Sequence, residues 1–168
     1  MLKIEKTEFE MKYTEINIRQ RLYKGSSYIT LLLNTEFFPT LVGNSIVSGA
    51  IEAKIDVEGI TSLDDLVDKK YEGDIGSATI SVNNNGIWEH QSYSKFKVKF
   101  GQRNGRNIEI LLETDNTKLE TKAVIVSLYT TSSNEDELKK NFDFSDFYDV
   151  KQVKEIGNSK VIKYFVKE

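Results

Sequence analysis

Lys95-Phe96-Lys97-Val98-Lys99-Phe100-Gly101-Gln102-Arg103-Asn104-Gly105-Arg106-Asn107-Ile108-Glu109-Ile110-Leu111-Leu112 is the stretch that decides the fold class. Phe96, Val98 and Phe100 alternate with Lys95, Lys97 and Lys99. A period of two sends apolar side chains to one face of an extended strand and charged ones to the other. Asn104-Gly105 supplies a reversal, because both residue types tolerate positive φ. Ile108, Ile110 and Leu112 then alternate on the return. The segment reads as an antiparallel hairpin from Phe96 to Leu112.

The same period recurs on both sides. Ile16, Ile18 and Leu22 alternate with polar residues up to Gly25-Ser26, and Tyr28 to Leu33 is a denser apolar run. Ile51, Ala53, Ile55 and Val57 alternate until Gly59. Ile80 and Val82 lead into Asn83-Asn84-Asn85-Gly86, a second strong hairpin signal. Ala123 to Tyr129 is a further strand, and Val150 to Ile156 and Lys160 to Val166 flank a turn at Gly157-Asn158. Phe37-Phe38-Pro39 falls where a loop is expected. Two short helices are expected, one capped by Ser62 and one capped by Ser133 over 134–140. Eight or nine strands with two short helices predict a mainly β chain, an antiparallel β-sandwich or closed barrel, built as one domain over residues 1–168.

Composition narrows the chemistry. The 168 residues contain no cysteine, which removes disulfides, thiolate nucleophiles and cysteine-based metal sites and favours a cytoplasmic setting. The N-terminus lacks the apolar run of a signal peptide, and no stretch is apolar enough for a membrane span. A net charge of −3 gives none of the basic excess that phosphate backbones select, so no nucleic acid is expected. Abundant lysine, asparagine and isoleucine suggest an AT-rich, bacterial coding sequence.

His90 is the single histidine, so a two-histidine metal site cannot be assembled and a Ser-His-Asp triad would need His90 itself placed with its partners. His90 beside Glu89 could act alone as a base, but a plain strand residue explains it better. The acidic stretches lack the spacing of a calcium loop and the glycines do not open a helix as a phosphate cradle does. No cofactor, metal or catalytic residue is expected.

Two stretches stand out. Lys95, Lys97, Lys99, Arg103 and Arg106 form a basic run, but alternation puts its lysines and aromatics on opposite faces, whereas base stacking needs them together. From Asn134 to Asp149 acidic and aromatic residues are mixed. Aromatic anchors within a charged rim are what protein-binding surfaces use. Asp143, Phe144, Asp146, Phe147, Tyr148 and Asp149 are therefore the expected contacts to a protein partner, a basic one. The competing reading makes these phenylalanines a plug at the end of the β core. The expected function is binding without catalysis. The alternatives are a barrel holding a small apolar ligand and an enzyme using paired carboxylates.

Overall fold

The computed structural model describes all 168 residues. Thirteen strands run in chain order as β1 (Leu2–Ile4), β2 (Thr7–Phe9), β3 (Met11–Tyr23), β4 (Ser26–Val42), β5 (Ser45–Val57), β6 (Lys70–Gly73), β7 (Gly76–Asn84), β8 (Ile87–Tyr93), β9 (Phe96–Asn104), β10 (Asn107–Glu113), β11 (Thr117–Thr131), β12 (Phe147–Ile156) and β13 (Ser159–Val166). One α-helix, α1 (Glu135–Asn141), precedes β12. No helix is long and apolar enough to cross a membrane.

The strands form a single sheet whose main path is β6-β9-β10-β11-β3-β4-β5-β7-β8. It is an open, curled sheet, a half-barrel, and neither the sandwich nor the closed barrel expected from the strand count. The right-handed twist of long strands curls the sheet around its own apolar face. Closure would require β6 and β8, the two ends of that path, to pair, and they do not. Strand count and alternation are common to all three architectures, so the sequence did not separate them.

β11 holds the sheet together. Its residue Val124 faces Asn107 of β10 on one edge and Glu15 of β3 on the other. Further along, Tyr129 faces Lys163 of β13 and Arg19 of β3. So β10 and β13 share one edge in series, while β1 and β3 share the opposite one. The β3–β11 pairing is parallel, a departure from the all-antiparallel expectation.

One face of the sheet builds the core. Ile51, Ala53, Ile55 and Val57 of β5, Phe96, Val98 and Phe100 of β9, and Ile108, Ile110 and Leu112 of β10 are all buried, as their alternation requires. Each Ile, Val, Leu or Phe among them contributes about 1.5–3 kcal/mol when fully buried. Leu63 and Leu66, on a 3-10 turn, join the same cluster, as do Leu138 of α1, Phe142 and Phe147. The Asp143 N–H donates to the Thr61 carbonyl at 2.7 Å, which ties the two segments across one end of the sheet.

Four local expectations need correction. Asn104 is the last residue of β9, and the reversal is Gly105-Arg106, with only Gly105 at positive φ (61°). Phe37-Phe38-Pro39 lies inside β4, where the register to β5 shifts between Phe37 and Thr40. A bulge is where a strand tolerates proline, because no ladder donor is missed. The Ser62 segment is a 3-10 turn, Leu63–Leu66, in which the Ser62 hydroxyl accepts from the Asp65 N–H at 3.3 Å. Asn134, not Ser133, is the N-cap of α1, and it makes no side-chain cap bond.

Candidate protein-binding edge

The phenylalanines of the acidic-aromatic segment are turned inward, while most of its charged residues stay exposed. Phe147 is in the core and Phe144 is half-buried, with its ring centroid 5.1 Å from that of Phe147 and 4.9 Å from that of Tyr164. Phe142 completes the cluster, so the rings plug the end of the curled sheet. Several of the carboxylates accept hydrogen bonds, whereas Asp136 and Asp149 are exposed without a partner. Asp146 accepts from Arg103 Nη2 at 3.1 Å, and the same guanidinium reaches Asp64 at 2.7 Å. Asp143 accepts from the Ser145 N–H at 2.9 Å, which holds its carboxyl below the usual range. Glu135 is bonded by the Tyr164 hydroxyl and by Lys151 Nζ at 2.9 Å. Those donors hold its carboxyl low, while burial and the facing carboxylate push the Tyr164 phenol up. Of the six expected contact residues, Phe147 is corrected to a core residue, and Tyr148 and Asp149 stand at the exposed start of β12.

The basic run is likewise answered within the sheet. Lys97 faces Glu113, which faces Lys118, and Glu109 faces Lys122. Arg106 pairs with Glu168 at 3.4 Å. The alternation that separates charges from aromatics thus also builds a mixed-charge outer face.

The β7–β8 hairpin presents a further surface. Asn85 and Gly86, at φ 52° and 92°, form the two-residue loop joining Asn84 to Ile87. Such a loop makes its flanking residues a bonded pair, and bonded pairs then recur at every second residue. Ile87, Glu89, Gln91 and Tyr93 therefore turn their backbone groups to β7. The Asn85 N–H, bonded to the Ile46 carbonyl at 3.0 Å, shows that odd-numbered residues of this strand face β5, in agreement. It follows that Trp88, His90 and Ser92 turn theirs outward.

Nothing in the chain meets those outward groups. β8 pairs with β7 alone, and no backbone bond elsewhere in the chain reaches it. Every residue from Ile87 to Ser92 is exposed, Ile87 at 68% and Trp88 at 52%. The other free edges are guarded. β6 has four residues and carries Lys70, and β12 carries Lys151 and Lys154 and a register shift between Phe147 and Lys151. Lysines, shortness and bulges are the usual protections of an edge. β8, Ile-Trp-Glu-His-Gln-Ser-Tyr, has none of them.

On the outer face of this hairpin the Trp88 and His90 rings stack, 6.1 Å apart and nearly parallel. The Ser81 hydroxyl lies 2.7 Å from His90 Nδ1, and Thr79 bonds Ser92 at 2.9 Å. Beyond them, at the tip of the β4–β5 hairpin, Leu41 and Ile46 face each other, 71% and 58% exposed. A serine beside a histidine is half of a hydrolytic pair. Here no carboxylate bonds the ring to orient it, and the pair lies open on a sheet face, where water is not excluded.

No family model, curated protein or solved structure matches this chain.

Two hollows border these surfaces. A cleft of ≈ 390 Å³ lies between β8 and the start of β11, lined by Glu5, Glu89, Gln91 and Asn116 among others. An apolar hollow beside the plug, lined by Ile29, Val57, Ile60, Leu138 and Phe142 together with polar residues, measures ≈ 150 Å³. That is well below the roughly 300 Å³ at which small-molecule sites begin. No cluster of three or more His, Asp or Glu is arranged to hold a metal.

What the sequence lacked was the neighbour list. Asn85-Gly86 announces the hairpin, and the absence of lysine and proline from 87–93 is the signal that could have marked an unguarded edge.

Proposed function

We propose that this chain is a binding protein without catalysis of its own, and that it takes a protein partner along β8. The observation that carries the reading is the unpaired, unguarded edge at Trp88, His90 and Ser92. An extended segment laid there gains main-chain hydrogen bonds from the edge and side-chain selectivity from Ile87 and Trp88. Tryptophan suits such a role because a large rigid ring buries much area at little entropic cost. Asp143, Tyr148 and Asp149 are the expected contact residues that stay exposed and could add contacts, and a basic partner would suit the two carboxylates.

The small-ligand reading has less support, because the concave side is filled by the 34-residue apolar cluster. The test is a photo-crosslinking residue at position 87, compared with one at exposed Lys154, in the cells that make the protein. A discrete protein adduct from position 87 alone is the expected result. Equal labelling from both positions, or none from 87, contradicts the reading.

A further inference from the structure

We propose that the occupant of this edge is β8 of a second copy of the chain, paired antiparallel about a two-fold axis at His90. The inference rests on the reading of β8 as a protein-binding edge and adds the partner's identity.

The register follows from which groups are free. Only Trp88, His90 and Ser92 point their N–H and C=O outward, so these must face one another across the new pair. Setting His90 against His90 places Trp88 of each copy against Ser92 of the other. All three outward residues are then satisfied in both copies. The residues between them complete the match, Ile87 facing Tyr93 and Glu89 facing Gln91. An apolar residue meets an aromatic one, and a carboxylate meets an amide that can donate to it. Both are favourable cross-strand pairs.

Neighbouring registers are worse for stated reasons. A shift by one bonded pair toward the turn sets Glu89 directly against Glu89, a like-charge pair. The opposite shift sets Gln91 on the axis and leaves Trp88 beyond the end of the facing strand. The sequence of β8 is thus self-complementary in one register.

Room and motive are both present. β7 is the one strand hydrogen-bonded to β8, and Glu5 and Asn116 stand across a cleft from Glu89 and Gln91. Across the axis the stacked Trp88–His90 pairs of the two copies become one continuous row of rings. A closed two-fold pairing also removes the edge from further growth, which an unguarded strand otherwise invites.

Sedimentation equilibrium on the purified chain tests this with a charge swap. The wild type is expected to be a dimer. His90→Lys and His90→Glu each place like charges on the axis, and each alone should associate roughly a hundredfold more weakly. An equimolar mixture of the two should recover a dimer, now mixed. His90 is exposed, so both variants should keep the circular dichroism of the wild type. A wild type that stays monomeric from micromolar to millimolar overturns the proposal, as do variants that dimerise unchanged or a mixture that stays monomeric. If the chain is monomeric but position 87 crosslinks to a different protein, the edge reading stands and self-pairing falls. If position 87 crosslinks to nothing, both fall.

Discussion

The ring of Phe37 lies across Gly49, its Cζ 2.6 Å from the point that a Cβ on Gly49 would occupy. The two residues face each other on β4 and β5, and the Ser81 carbonyl closes the same space from β7. The missing side chain is therefore what lets the ring lie flat in the core beside the bulge at Pro39. Gly49→Ala should cost about 3 kcal/mol, because ring and backbone must both move. Urea denaturation measures it, and an unchanged midpoint would mean that the ring has room elsewhere.

Phe147 and Tyr148 are adjacent in sequence and opposite in role. Phe147→Ala removes a ring packed on Phe142 and Phe144 and should cost about 3–5 kcal/mol of stability. Tyr148→Ala, at an exposed position, should stay within about 0.5 kcal/mol of the wild type. Thermal melts of the two variants decide it. Equal losses would place Tyr148 in the plug as well.

Acid should loosen the α1–β13 contact. The Tyr164 hydroxyl and Lys151 hold the Glu135 carboxyl below its ordinary value. A depressed folded-state value means stability that is present above the unfolded pKa, about 4.3, and is lost as pH falls through the folded value. Tyr164→Phe should therefore be less stable than the wild type near neutrality, with the gap narrowing as pH drops below about 4. The Tyr164 phenol is shifted the other way, so its contribution holds below ordinary tyrosine pKa values, about 10, and is lost only at more alkaline pH. A gap independent of pH between 3 and 7 would show that the bond does not depend on the charge of Glu135.

Much of the fold could be read from period and turn chemistry. Phe96 to Leu112, Asn85-Gly86 and Gly157-Asn158 all mark hairpins that are present, because alternation and positive φ are local properties. Strand order, curl and the parallel β3–β11 pair were not legible, since they depend on partners more than a hundred residues apart, as with Ile18 and Leu128. The candidate site suffered from the same gap. Aromatic anchors within a charged rim mark Phe147 as a contact, yet Arg103 and Lys151 come from β9 and β12 to answer Asp146 and Glu135 and leave the ring in the core. Conversely, the missing lysine and proline around Trp88 gain meaning only once β8 is known to be an edge, which depends on strand order.

Amide hydrogen exchange along β8, measured in dilute and concentrated protein, tests the central claim most directly. Ile87, Glu89, Gln91 and Tyr93 bond to β7, so their amides should be protected at every concentration. Trp88, His90 and Ser92 face the edge, so theirs should exchange fast when dilute and slowly when concentrated, and His90→Lys should keep them fast throughout. Trp88, His90 and Ser92 amides that exchange fast at every concentration would contradict strand pairing between copies, and amides already slow in dilute monomer would contradict a free edge.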